Sequence, residues 1–236
     1  MKKIIYVYGV KGGVGKTSIS INIAAKLANM NKSVVLVDMD ISGPNIHKML
    51  NSPQTKSMNL KNLKIVPAEY ENIKLVSTGL IFDNNEISFF SGKYLEGLLN
   101  QLVINNEWDC EYIIIDMPPG FDEIHKLTFG NYPGKIILVT TPHSTSYDNL
   151  QRGITHLKKL NLEITGIIEN ISHVTCPKCH FKTDFSNEKS IEEYEKIKIP
   201  FSLEFMTSPP KEVNNYFFTN EDIKEHFEKI MNRWVV

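Results

Sequence analysis

The chain has 236 residues with 26 basic and 27 acidic side chains, a formal net charge of −1. That length suits one large α/β domain with a substantial core, and so even a charge balance gives no global electrostatic case for a nucleic-acid or anionic-membrane partner. Three cysteines are too few for a disulfide scaffold, and no uninterrupted apolar segment approaches the roughly 18 residues of a membrane span, so the expected setting is a reducing cytoplasm.

The opening stretch MKKIIYVYGV has two lysines and a short apolar run, which passes straight into a glycine turn without a small-residue cleavage site; it is read as the first strand. Residues 9–17, Gly-Val-Lys-Gly-Gly-Val-Gly-Lys-Thr, lie between that run and an amphipathic one carrying Ile19, Ile21, Ile23 and Leu27. The order is strand, phosphate loop, helix. Glycines let backbone N–H groups converge on an anion without Cβ obstruction, and the helix N-terminus adds partial positive charge. Gly12, Gly13, Val14, Gly15, Lys16, Thr17 and Ser18 therefore form a nucleotide cradle, with Lys16 reaching the outer phosphates and the Thr17 hydroxyl placed for Mg²⁺. The general pattern asks for glycine at position 10 and finds Val10, while Lys11 is an addition to it.

Apolar, β-rich runs follow at 33–38, 73–78, 112–116, 135–140 and 163–169, most of them separated by helix-like stretches. Such an alternation predicts a doubly wound, mostly parallel α/β sheet with helices on both faces, in a single domain over 1–236. Loops at the carboxyl ends of the strands then share one rim, where ligands bind. The run at 33–38 ends in Asp38-Met-Asp40, two carboxylates suited to Mg²⁺-bound or attacking water. The run at 112–116 ends in Asp116-Met-Pro118-Pro119-Gly120, where the acid suits a Mg²⁺ water and the Gly120 N–H a γ-phosphate. Together these strand ends point to phosphoryl transfer, a chemistry of positioning and charge neutralisation.

Segment 51–63 is polar and turn-rich and reads as a surface excursion. At 221–234, Ile223, Phe227, Ile230, Met231 and Trp234 recur at helical spacing. The polar face carries as many acids as bases, which favours a helix docking on the core over a membrane-targeting one.

Cys176-Pro-Lys-Cys179, followed by His180, forms a candidate metal loop within 171–185. Covalent haem attachment belongs to exported cytochromes, a thioredoxin-like pair would sit near the first βα unit, and a zinc ribbon needs a second pair that the chain lacks. Cys110 reads as a core cysteine, and His173 and His180 as solvated loop residues. One chain thus supplies two thiolates and two chains supply four, a set that suits zinc or an iron–sulfur cluster.

KGGVGKT resembles the deviant Walker A loop of the family that includes Mrp/ApbC carriers, MinD and ParA. DMDISGPN resembles the D-x-D-x-x-G-P-[SN] segment of Mrp/ApbC proteins, IIIDMPPG their switch II, and GIIENIS followed by CPKC their G-[VI]-[VI]-E-N-M-S segment with its downstream CxxC. The resemblance implies an ATPase using ATP and Mg²⁺, in which Lys11 reaches the partner's nucleotide across a homodimer. It implies Lys11, Lys16 and Asp40 as catalytic residues, with Asp40 orienting water, Asp116 as the Walker B acid and Asn170 reading adenine. It further implies a labile [4Fe-4S] cluster held between two subunits by Cys176 and Cys179 and passed to apo iron–sulfur proteins, with neither nucleic acid nor membrane as partner. Two departures stand out: Phe121-Asp122-Glu123 replaces the family's T-G-D, and IPFSLEFM lacks the glycine and second proline usual near the base, so no base contact is assigned there. The alternative is a MinD/ParA-like spatial regulator on membrane or DNA, which would leave Cys176 and Cys179 without a role. A nitrogenase iron-protein-like redox ATPase would place its cysteines singly. No cysteine-rich segment precedes the first strand, so no second cluster is expected there.

Overall fold

The computed structural model describes residues 2–41, 43–50, 67–70, 72–80, 97, 109–176, 178–185, 191–201 and 221–236. The expected excursion at 51–63 and the part of IPFSLEFM beyond residue 201 lie outside them. The elements in chain order are β1 (Lys3–Tyr8), α1 (Lys16–Asn29), β2 (Val34–Asp38), α2 (Ile46–Met49), β3 (Ala68–Tyr70), β4 (Ile73–Ser77), β5 (Tyr112–Asp116) and α3 (Glu123–Asn131). There follow β6 (Lys135–Thr140), α4 (Ser144–Lys159), β7 (Ile164–Thr175), β8 (Lys182–Asp184), β9 (Lys196–Phe201) and α5 (Glu221–Ile230).

Nine strands among the described residues form one sheet in the order β3-β4-β2-β5-β1-β6-β7-β8, with β9 also paired to β7. Pairing is parallel from β4 through β7 and on to β9, while β3 on β4 and β8 on β7 are antiparallel. The sheet is therefore mostly parallel, and its apolar strands are explained by cover on both faces. Along β1, Ile5 and Val7 join a core with Ile19 and Leu27 of α1 and Phe227 of α5. Tyr6 and Tyr8, which point the other way, join one with Phe129 of α3 and Ile154 of α4. Strand order puts β1, β5 and β2 side by side in the middle, so the phosphate loop and both acid-bearing strand ends leave neighbouring strands.

β7 runs further than the apolar pattern suggests, through Thr175, because β8 pairs with His173–Thr175 and β9, paired to Ile167–Asn170, rejoins it at Val174. This corrects one expectation. His173 is a buried strand residue with Nδ1 2.9 Å from Ser172 Oγ, whereas His180 is exposed as expected. Cys110 is buried, and burial pushes its thiol up.

The C-terminal helix docks on the core. Ile223, Phe227, Ile230, Met231 and Trp234 are all buried, and a π-helical turn, Met231–Val235, continues α5. Lys135 Nζ donates to Trp234 O at 3.2 Å, Trp234 Nε1 donates to Glu195 Oε2 at 3.1 Å, and Arg233 pairs with the same carboxylate. The apolar stripe is thus spent inside the protein, and no helix among the described residues is long and apolar enough to cross a membrane. Trp234 lies on Gly166 of β7, where an added Cβ would come within 2.3 Å of the indole. Gly166→Ala should destabilise the fold by about 2 kcal/mol or more, as overpacked cores do, measured by urea unfolding followed through tryptophan fluorescence.

Candidate functional site

The phosphate loop is shaped by left-handed backbone at Gly13 (φ 75°) and Gly15 (φ 95°). Gly15 is also constrained by space, since a Cβ there would lie 2.3 Å from Asn170 Nδ2. That amide donates to Val14 O at 3.0 Å, so β7 holds the loop from behind. Val10, the residue that breaks the ordinary pattern, fits because it meets Gly153 of α4, where a Cβ would lie 2.9 Å from its Cγ2. A helix and the loop approach closely there, and the small residue stands on the helix.

The loop walls a cavity of about 490 Å³. Gly12, Gly13, Gly15, Lys16, Thr17 and Ser18 line one side, with Asp40, Asp116, Met117 and Pro119 beside them and Asn45, Lys48 and Met49 from the α2 region. Lys16 Nζ donates to Lys11 O at 3.3 Å. Burial lowers the Lys16 pKa, and the nearby charges of Asp116 and Asp40 oppose that. Lys11 Nζ turns to the start of α4, donating to Thr145 Oγ1 at 3.0 Å and Ser146 Oγ at 3.2 Å. The Gly120 N–H donates to Val10 O at 2.8 Å, placing switch II directly on the phosphate loop.

The acids are deeply set. Asp116 Oδ2 accepts from Thr17 Oγ1 at 2.7 Å and its Oδ1 from Ser20 Oγ at 3.0 Å. Burial raises its pKa to about 6, against the pull of those hydroxyls and Lys16. Asp38, its register partner across β2 and β5, is raised to about 7 by burial and then by Asp116. Asp38 is a scaffold for the following loop: Oδ1 accepts from Asp40 N at 3.2 Å, and Oδ2 from Asn45 N at 3.0 Å, Ile46 N at 3.2 Å and Ser77 Oγ at 3.2 Å. Asp40 reaches the cavity, with Oδ1 accepting from Gly43 N at 3.0 Å. The structure thus brings together Gly12, Gly13, Gly15, Lys16, Thr17, Ser18, Asp40 and Asp116, with Lys11 bonded to Lys16 and with Gly120 and Asn170 on the Val10 and Val14 carbonyls of the same loop. Ser20, Asn45, Lys48 and Met49 were not singled out in the sequence; Ser20 lies one helical turn past Thr17 and could have been found on that spacing.

Cys176 and Cys179 lie elsewhere, on the turn of the β7–β8 hairpin. His180 N donates to Cys176 O at 2.9 Å, Cys176 N donates to Phe181 O at 2.9 Å, and His180 takes a left-handed φ of 57° to close the turn. Hydrogen bonds from the Cys179 and Lys178 backbone, then from the Cys179 side chain, hold the Cys176 thiol below its usual range. Amides pointing at sulfur favour the thiolate, the form that binds metal. Cys176 is half-exposed and Cys179 exposed, as are Phe181 in the same turn and Phe185 at the base of the hairpin. Among the described residues no group of three or more His, Cys, Asp or Glu side chains is placed to hold a metal ion.

A family described as NUBPL iron-transfer P-loop NTPase, within the ParA group, matches residues 1–232. The chain belongs to that family. This NUBPL-type chain is 31 % identical over 196 residues to the iron-sulfur cluster carrier protein of Helicobacter pylori, covering 82 % of this chain and 53 % of that one. It is 33 % identical over 211 residues to the cytosolic Fe-S cluster assembly factor NUBP2 of Mus musculus, covering 85 % and 76 %. The match therefore spans about half the length of the bacterial carrier. A nucleotide-binding protein of Archaeoglobus fulgidus, solved in complex with ADP, superposes with a TM-score of 0.76 over 95 % of this chain and 91 % of that one at 23 % identity, a likeness of fold. Both the phosphate loop and the thiol hairpin lie inside the family match.

A carboxyl group whose folded-state pKa is raised favours the fold most when protonated. For Asp116 that contribution is full below about pH 4 and is lost as pH rises through about 6. In chelator and without nucleotide, the stability of NUBPL-type protein carrying Asp116→Asn, relative to wild type, should therefore increase from about pH 4 to about pH 7, measured by denaturant unfolding at each pH.

Proposed function

We propose that the chain is an ATP-hydrolysing carrier and assembly factor for iron–sulfur clusters, acting as a cytoplasmic homodimer. The observation that carries this reading is that β7 bears both a residue bonded to the phosphate loop, Asn170, and the exposed dithiol turn that follows Thr175. Membership in an iron-transfer NTPase family supports it.

In this proposal Lys16 and the amides of Gly12 to Ser18 hold the outer phosphates, Asp40 orients the attacking water and Asn170 contacts the adenine. Thr17 Oγ1 and Asp116 Oδ2, 2.7 Å apart, form an oxygen-only donor pair suited to Mg²⁺, which when bound would neutralise phosphate charge. Lys11 would exchange the Thr145 and Ser146 hydroxyls for phosphate oxygens of the partner's nucleotide. A cation delivered only on closure ties hydrolysis to dimerisation. Gly120 would exchange Val10 O for the γ-phosphate. Two dithiols, one from each subunit, would hold a [4Fe-4S] cluster as cargo for apoproteins, and their exposure suits release. The membrane- or DNA-acting regulator is the weaker reading, because the apolar face of α5 is buried and the dithiol would be idle.

Anaerobic reconstitution with iron and sulfide should load about four irons per dimer, and Cys176→Ala should abolish loading. Zinc retained in place of iron would sink the cluster assignment. Lys11→Ala should slow ATP turnover by at least about 100-fold while nucleotide affinity changes by less than about threefold. Unchanged turnover would refute the role given to Lys11.

A further inference from the structure

Switch II departs from the family pattern at Phe121-Asp122-Glu123, and the residues after it show what fixes the loop. His125 sits in the first turn of α3 with its side chain fully buried. Asp122 caps that helix, its Oδ1 accepting from Ile124 N at 3.1 Å, and Asp122 N donates back to His125 Nδ1 at 3.2 Å. This is a capping box in which histidine stands where Glu or Gln is usual.

Imidazole has a second nitrogen. His125 Nε2 lies 3.0 Å from Pro118 O, a pure acceptor, so Nε2 carries a proton and donates to it. Nδ1 accepts from Asp122 N or, when protonated as well, donates to Asp122 Oδ1 at 2.8 Å. In both states one buried ring ties Pro118 to Asp122. Between those anchors Gly120 is held across its peptides, its N–H on Val10 O at 2.8 Å and its carbonyl accepting from Tyr8 OH at 2.7 Å. The Tyr8 ring packs against His125 at 5.2 Å between centroids. Phe121 lies near-parallel to His125 at 5.9 Å and to His156 of α4 at 4.3 Å, closing the loop's outer side.

We propose that His125 is a positioning residue for ATP hydrolysis, fixing both ends of Pro118–Asp122 so that the Gly120 amide stays at bonding height over the phosphate loop. The inference rests on the reading of this site as an ATPase. Gly120 has to trade one acceptor, Val10 O, for another, a γ-phosphate oxygen. A short loop does that without drifting only if its flanks hold still. A donor displaced by about 1 Å costs the transition state far more than it costs ground-state binding, so the loss falls on kcat rather than on KM.

The test compares His125→Leu, which removes both bonds, with His125→Gln, whose planar amide offers one acceptor and one donor. Steady-state ATP hydrolysis, binding of a fluorescent ATP analogue and thermal unfolding are measured on the intact protein. His125→Leu should lower kcat by about 30-fold or more with KM and analogue affinity within about threefold of wild type, and His125→Gln should recover kcat to within about fivefold. Wild-type kcat in His125→Leu would overturn the inference alone. So would equal slowing in both variants accompanied by matching losses of affinity and melting temperature, since that marks a merely structural residue. A wild-type protein that hydrolyses no ATP would overturn this inference together with the reading beneath it.

Discussion

Two carboxylates buried side by side govern the ligand rim. Asp38 and Asp116 are register partners on adjacent strands and both are almost out of water. Like charges in so dry a place persist only when hydrogen-bond donors surround them. Those donors come from distant parts of the chain: Thr17 and Ser20 from α1, the Asn45 and Ile46 amides from the start of α2, and Ser77 from the end of β4. The phosphate-loop helix, the loop after β2 and the outer parallel strand are thereby fixed relative to one another. Asp40, at the surface of this arrangement, remains at the cavity wall, and the buried cation of Lys16 balances part of the acid charge.

The two residues that mark this phosphate loop as unusual act as a pair. Val10 directs its side chain to Gly153 on α4 and its carbonyl to the Gly120 amide of switch II. Lys11 directs its ammonium to Thr145 and Ser146 at the start of α4. Glycine at position 10 would keep the carbonyl but lose the contact with α4. A valine there therefore adds an apolar contact with α4 to the hydrogen bonds that Lys11 makes to the same helix. α4 thus braces the phosphate loop from behind, although none of its residues lines the cavity.

The central architecture was legible because its signals are local. Apolar runs of β-branched residues mark the buried parallel strands, and acids placed immediately after such runs must emerge at the carboxyl rim. The helix at the chain's end was legible for the same reason, from the spacing of Ile223, Phe227, Ile230, Met231 and Trp234. The three-residue strands β3 and β8 were not, since polar residues such as Lys182–Asp184 become a strand only by pairing with β7. Tyr8 and His125 carry no such local signal, because each owes its role to a backbone carbonyl, and that does not show in residue type. The place of Val10 in a glycine pattern is likewise explained only by Gly153 opposite it.

β7 joins the phosphate loop to the dithiol turn. Asn170 binds the Val14 carbonyl, and Cys176 follows six residues later, roughly 20 Å along an extended strand. The path between them is not a plain strand. Ile171 has φ 58°, a left-handed conformation that a β-branched residue adopts only at a cost, and the β7–β9 register shifts between Asn170 and Val174. Bulges of this kind re-aim side chains beside active sites. Here the bend is held from both sides: Asn170 grips the phosphate loop before it, while after it Ser172 Oγ donates to Ile199 O and β8 pairs with residues 173–175. Without the bend, a regular alternation would govern which residues of β7 face the loop and which face β8 and β9. With it, the same strand presents an amide to the phosphate loop at one end and leads into the dithiol turn at the other, so the loop and the thiols are attached to one element.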